Sequence, residues 1–225
     1  MAVNYGTRII SDGLVMFTDA ANPRSYPGSG TTWLDLSPGR WTGTLQGSPT
    51  YSSNNLGFFT LNGTTQFVST NTNISMTTGT LIAWIWRNGA QDAYDGILYS
   101  RVASTVSIAG LSTFSDPTVL SYTWNNSAAT FNWNTGLTIP NQAWSMVAVS
   151  VGSATSTAYV NLSRNSQSFV PSAMTLTSGF AIGRDTEGTG RFFNGRISVA
   201  MVYNRALSDS EMETNFNALR GRYGI

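Results

Sequence analysis

The chain has no histidine, no cysteine and no lysine among its 225 residues. Without histidine there is no Ser-His-Asp relay and no imidazole-ligated metal centre. Without cysteine there is no disulfide, no thiolate nucleophile and no cysteine-bound zinc. All 12 basic residues are arginine, scattered from Arg8 to Arg222 among 11 acids, for a formal net charge of +1. A nucleic-acid surface needs a concentrated basic stripe, so nucleic acid is not an expected partner. Only 10% of residues are charged, which leaves Ser, Thr, Asn and Gly to carry solubility. No stretch approaches the ~18 apolar residues of a membrane span, and the first residues show no basic segment leading into an apolar run. Membrane insertion is therefore not expected, and synthesis in a cytoplasm without a signal peptide is.

Carboxylates are scarce as well. Glycoside hydrolysis needs two of them facing one bond, yet the chain has three glutamates, and Glu211 and Glu213 fall at the start of a helix. No pair of carboxylates is credibly placed for it, and the chain is expected not to be an enzyme. Asp185 and Glu187 alternate within R-D-T-E-G-T-G, a turn-forming run where calcium is the candidate ligand, because hard cations take several oxygens and loops supply carbonyls too. Asp92 and Asp95 form a second acidic loop of similar kind. No other cofactor is implied.

What is present is apolar material, 41% of residues with 12% aromatic, enough for one sizeable core and a single domain. Alternation of period two predicts strands at 13–19, 58–62, 79–87, 96–102, 118–124, 130–133, 144–151, 155–162, 179–183 and 194–203, with a hairpin loop at 125–129. The strand around Thr80–Trp86 is apolar on both faces, so both should be covered. Ser208 with Glu211 three residues on makes a capping box, acids fill the first turn, and Arg220 and Gly221 close a helix of about 208–220. Met212, Phe216 and Leu219 share one face of it, which should lie on a sheet. The pattern predicts an all-β, two-sheet antiparallel sandwich with one short C-terminal helix.

Sugar recognition needs aromatic faces and planar polar groups. Tyr122 and Trp124, then Phe131 and Trp133, form same-face pairs on neighbouring predicted strands, with Asn126 and Asn132 beside them. These six residues are the candidate carbohydrate site. Core packing is the alternative for the same spelling. Sequons at Asn62, Asn73, Asn125 and Asn161 arise readily in an Asn- and Thr-rich chain.

Several segments together resemble a known family: D-G-L-V-M-F-T-D-A-A-N-P-R-S-Y-P-G-S-G-T-T-W-L-D-L-S at the front, G-T-L-I-A-W-I-W and W-S-M-V-A-V-S-V in the middle, and F-A-I-G-R-D before F-F-N-G-R-I-S-V-A-M-V-Y-N-R-A-L-S. They are similar to the laminin G-like, concanavalin A-like jelly rolls, in particular those of bacteriophage virion proteins. The resemblance implies a jelly-roll domain over 12–225 preceded by an arm at 1–11. It also implies a non-enzymatic virion protein, most simply an exposed capsid decoration whose partner is the major capsid protein, with host-surface glycan as a further partner. The alternative is a carbohydrate-binding module on a tail or fibre, and glycoside hydrolysis ranks third. Laminin G-like domains often hold calcium at the sandwich rim, which again directs attention to Asp185 and Glu187. The chain departs from the family between Leu36 and Thr44, where S-P-G-R-W-T-G-T brings Arg40 and Trp41 into the turn and makes them the candidate partner contact.

Overall fold

A computed structural model describes residues 8–101, 108–177, 179–186 and 190–225. In chain order the strands begin with β1 (Leu14–Asp19), β2 (Thr32–Leu34), β3 (Thr42–Gln46), β4 (Thr50–Ser52), β5 (Phe58–Asn62) and β6 (Phe67–Thr70). There follow β7 (Ile74–Met76), β8 (Gly79–Arg87), β9 (Gly96–Ser100), β10 (Ala109–Thr113) and β11 (Leu120–Thr123), then a single helical turn, α1 (Ala128–Phe131). The chain closes with β12 (Trp144–Val151), β13 (Thr155–Val160), β14 (Ser163–Ser168), β15 (Met174–Leu176), β16 (Phe180–Ile182), β17 (Asn194–Tyr203) and the helix α2 (Asp209–Tyr223). One sheet has the order β14-β13-β12-β8-β17-β5-β4 with β1 also on β17, a second runs β11-β10-β9-β16-β6-β3-β2, and β15-β7 make a small third. The two large antiparallel sheets face each other as a jelly-roll sandwich.

β8 explains the layering. Leu81, Ala83 and Ile85 point into the core between the sheets, with Val147 and Val149 of β12 and Ala200 and Val202 of β17. Ile82 and Trp84 point the other way, into a second apolar layer with Met146, Met201, Met212 and Phe216. β12 pairs with β8 along its full length, from Trp144 opposite Trp86 to Val151 opposite Gly79, and β17 flanks the other side. A strand central in its sheet and covered on both faces should be apolar on both, as this one is from Leu81 to Trp86.

The cover of the second layer is α2. Its Ser208 cap accepts from the Glu211 amide at 3.3 Å, while the Ser208 amide donates to Glu211 Oε2 at 2.9 Å. Trp84 stacks on Tyr223 at 4.3 Å between ring centroids and on Phe216 at 5.7 Å. The helix does not stop at Gly221: it runs on to Tyr223 and closes at Gly224, whose left-handed φ of 74° is what a glycine after a helix provides. Burying Tyr223 is the physical gain from that last turn. The expected strand at 130–133 is likewise replaced by α1. Asn125 and Asn126 both take positive φ, 46° and 53°, and reverse the chain. The Thr130 hydroxyl then donates to the Ser127 carbonyl at 2.7 Å and accepts from the Trp124 amide at 3.0 Å, closing the turn locally.

Candidate functional site

The candidate site lies on the outer face of the seven-stranded sheet, at its β9–β10–β11 end. Along β11 the side chains of Leu120, Tyr122 and Trp124 enter the core, so Ser121 and Thr123 face outward. Ser121 sits directly opposite Ser112 of β10. Gly110 of β10 lies between Thr123 on one side and Tyr99 of β9 on the other. A Cβ at Gly110 would come within 2.2 Å of the Leu98 carbonyl and 2.6 Å of Tyr99 Cα, so no larger residue fits. The gap lets the Tyr99 hydroxyl donate across it to Thr123 Oγ1 at 2.7 Å. Burial, with the nearby Asp185 charge, pushes the Tyr99 phenol up to about 12, so it stays a neutral donor.

Three walls rise from this floor and enclose a cleft of about 280 Å³. On one side stand Asn126, Phe131 and Asn132 from the β11–α1 turn. On a second stands Tyr94, at the end of the 88–95 loop. That loop is tied down by Thr113, whose hydroxyl donates to the Asp92 carbonyl at 3.0 Å and accepts from the Asp95 amide at 2.9 Å. The third wall is ionic. Arg101 grips Asp185 bidentately, Nε to Oδ1 at 2.8 Å and Nη2 to Oδ2 at 3.0 Å, while Arg191 Nη1 donates to Oδ2 at 2.8 Å. The Asp185 side chain is 1% exposed, those of Arg101 and Arg191 17% and 32%. Arg191 also lies over the Tyr94 ring, 5.3 Å from its centroid.

The structure divides the six residues expected to bind sugar. Asn126, Phe131 and Asn132 line the cleft. Tyr122 and Trp124 do not, being 1% and 0% exposed in the core. The Tyr122 hydroxyl meets Ser156 Oγ at 2.5 Å and accepts from Gln167, while Trp124 Nε1 donates to the Ser172 carbonyl at 3.2 Å. Trp133, half-buried, packs edge-on against Tyr122 at 5.9 Å. Tyr122 and Trp124 do share a face, but that face is the core, and the alternate positions Ser121 and Thr123 line the cleft. Tyr94, Tyr99, Arg101 and Arg191 gave no sequence signal, since the loop before β9, the end of β9 and the segment between β16 and β17 meet only in the folded protein.

Calcium does not fit Asp185, because both its oxygens accept from guanidiniums. Glu187 lies outside the described residues. Asp95 turns inward, its Oδ2 accepting from the Asp92 amide at 2.7 Å, while Asp92 is exposed. No group of three or more His, Cys, Asp or Glu that could hold a metal ion occurs among the described residues. In the departing loop, Trp41 donates from Nε1 to the Val15 carbonyl at 3.0 Å and packs on the core, so its role is to anchor the loop. Asp35 does the same from beneath, taking the amides of Phe17, Ser37 and Trp41. Arg40 is exposed with φ of 51°.

A family profile described as the concanavalin A-like lectin/glucanases superfamily, laminin G type, matches residues 61–213. The chain belongs to that superfamily. Solved structures agree on the fold. Domain 4 of AbnA, a GH43 extracellular arabinanase from Geobacillus stearothermophilus in complex with arabinotriose, superposes with a TM-score of 0.65 at 16% identity over 93% of this chain and 100% of that one. The botulinum neurotoxin serotype G binding domain gives 0.66 at 11% identity over 90% of this chain and 50% of that one. A Trypanosoma rangeli sialidase in complex with the inhibitor DANA gives 0.63 at 16% identity over 92% of this chain, which spans 33% of the sialidase. No curated protein sequence matches. This concanavalin A-like domain therefore has a fold of carbohydrate-binding type.

Proposed function

We propose that the protein is a non-enzymatic carbohydrate-binding module whose site is the cleft at the β9–β11 end of the seven-stranded sheet. The observation that carries this is the cleft's make-up. The rings of Phe131 and Tyr94 line the cleft together with the hydroxyls of Ser112, Ser121, Thr123 and Tyr99 and the amides of Asn126 and Asn132. Such a surface stacks on a sugar ring and hydrogen-bonds its hydroxyls. The arabinanase domain of the same fold, in complex with arabinotriose, lends support. Hydrolysis is disfavoured because Asp185, the one carboxylate among the described lining residues, is buried between two arginines and cannot serve as proton donor or nucleophile. The test is a glycan array followed by calorimetry on the best binder. Phe131→Ala should weaken affinity at least about tenfold with little change in melting temperature. Unchanged affinity in that variant sinks the site assignment.

A second reading concerns setting rather than chemistry. The phage-like segments quoted from the sequence favour display on a virion, as a decoration of the capsid lattice or on a tail or fibre, and the cleft would then face a host surface glycan. Copy number relative to the major capsid protein in purified particles decides it: near-lattice stoichiometry supports decoration, a handful supports a tail adhesin, and absence removes the virion setting.

A further inference from the structure

We infer that the cleft selects its sugar by neighbouring unsubstituted hydroxyls on one ring, and that Ser112, Ser121 and Thr123 are the residues that make the selection. This rests on the carbohydrate assignment and narrows its ligand class. The observation is a pair of hydroxyls left without partners. Two facing hydroxyl pairs elsewhere in the sheets bond to each other, Ser75 with Thr175 and Thr157 with Ser166, each at 2.9 Å, as cross-strand pairs of this kind do. Ser112 and Ser121 also face each other across paired strands. Among the described residues, however, neither hydroxyl bonds the other or any further group. Both residues line the cleft while being only 4% and 2% exposed, so the two hydroxyls are withdrawn from bulk water and open on the cleft alone.

A hydroxyl taken from water without a protein partner disfavours folding, and a ligand hydroxyl that bonds it recovers the loss. Serine suits that exchange, because its hydroxyl donates one proton and accepts on two lone pairs, as a sugar hydroxyl does. Facing residues on paired strands have Cβ atoms about 5 Å apart, so neighbouring hydroxyls of one ring can reach both serines. Thr123 adds a direction. Its Oγ1 accepts the Tyr99 proton at 2.7 Å, and its own proton has no acceptor among the described residues. Thr123 lines the cleft at 3% exposure, so it acts as a donor into the cleft, and Tyr99 is the positioning residue that holds it so. A sugar oxygen that accepts from Thr123 beside two hydroxyls that exchange protons with the serines fixes which face of the ring lies down.

The experiment measures binding of the methyl glycosides of glucose, galactose, mannose and arabinose, and of their singly deoxygenated forms, by ligand-observed NMR. For the sugar that binds best, removing either of two neighbouring hydroxyls should weaken affinity about tenfold, since a site built to bond a hydroxyl rejects the analogue lacking it. The double variant Ser112→Ala, Ser121→Ala should lose about tenfold as well, with a melting temperature unchanged or raised, because it deletes hydroxyls that no protein group satisfies. Thr123→Ser should keep affinity and Thr123→Val should lose it. Equal affinity for parent and deoxy sugars, unchanged binding in the double variant or in Thr123→Val, or a lowered melting temperature in the double variant overturns the selection by these hydroxyls and leaves the carbohydrate reading standing. So does binding of an array glycan when none of the four methyl glycosides binds. Silence of the four together with silence on a broad glycan array overturns both. Because the deoxy comparison uses the unaltered protein, its result holds even if a variant folds poorly.

Discussion

Trp124 and Phe131, both aromatic and seven positions apart, have opposite assignments that a pair of substitutions separates. Trp124→Ala empties a fully buried site and should cost about 3–5 kcal/mol of stability in chemical denaturation. Phe131→Ala removes a half-buried ring from the cleft rim and should cost binding instead. Gly110→Ala belongs at the same scale. The added methyl has nowhere to go between Leu98 and Tyr99, so it should lower the melting temperature and break the Tyr99–Thr123 contact at the cleft floor. The sequence named three of the cleft residues, Asn126, Phe131 and Asn132, as part of an aromatic patch on a strand at 130–133, and the turn and α1 that stand there bring them to the cleft instead. It misassigned Tyr122 and Trp124 because alternation shows that two side chains share a face and says nothing of which face is inside. Arg101 reaches Asp185, 84 positions away, only because β9 pairs with β16, which no local pattern carries.

Elements differ in how openly they were written. β5, β8, β12 and β17 were read to the residue because each is long or flanked by turn residues and buries an apolar side. β14, whose sequence is S-R-N-S-Q-S, has no apolar residue, lies at a sheet edge and leaves no period to detect. α1 imitates a strand in sequence, since Phe131 and Trp133 alternate with asparagines, and local hydroxyl bonding overrides that imitation. The helix α2 was legible at its start, where the capping box is spelled out, and less so at its end. Ser208→Ala should destabilise by about 1 kcal/mol. Tyr223→Ala should cost more, roughly the 3–5 kcal/mol of a large buried aromatic, since the ring stacks on Trp84 at 4.3 Å and leans on Trp144 at 4.7 Å. Denaturation midpoints of the two variants check the order.

For the whole molecule, two carboxyls of opposite tendency bracket the pH range of greatest stability. Burial pushes Asp95 up from 3.8 to about 7, so the folded state favours its neutral form, and the stability this gives is full below 3.8 and lost as pH rises from there through about 7. The Arg205 hydrogen bond holds Glu211 down at about 2, against an ordinary 4.5, so its contribution is present above 4.5 and lost as pH falls through about 2. Melting temperature plotted against pH should therefore decline on both sides of mildly acidic solution. Asp95→Asn should flatten the decline between about pH 3.8 and 7, and Glu211→Gln the loss below pH 4.5, each leaving the other in place.

The first strand and last helix are also fastened to one another. Arg222 grips Asp19 with two contacts of 2.8 Å, and the Ile10 amide donates to Asn215 Oδ1 at 2.8 Å. Both ends of the domain thus emerge on the helix-covered side, and the cleft opens on the far side of the sandwich. Any support joined at either end would hold the protein like a lamp on a bracket, stem behind and mouth forward. Docking and sugar capture would then act on opposite poles, so a tether could be lengthened or exchanged without crowding the ligand.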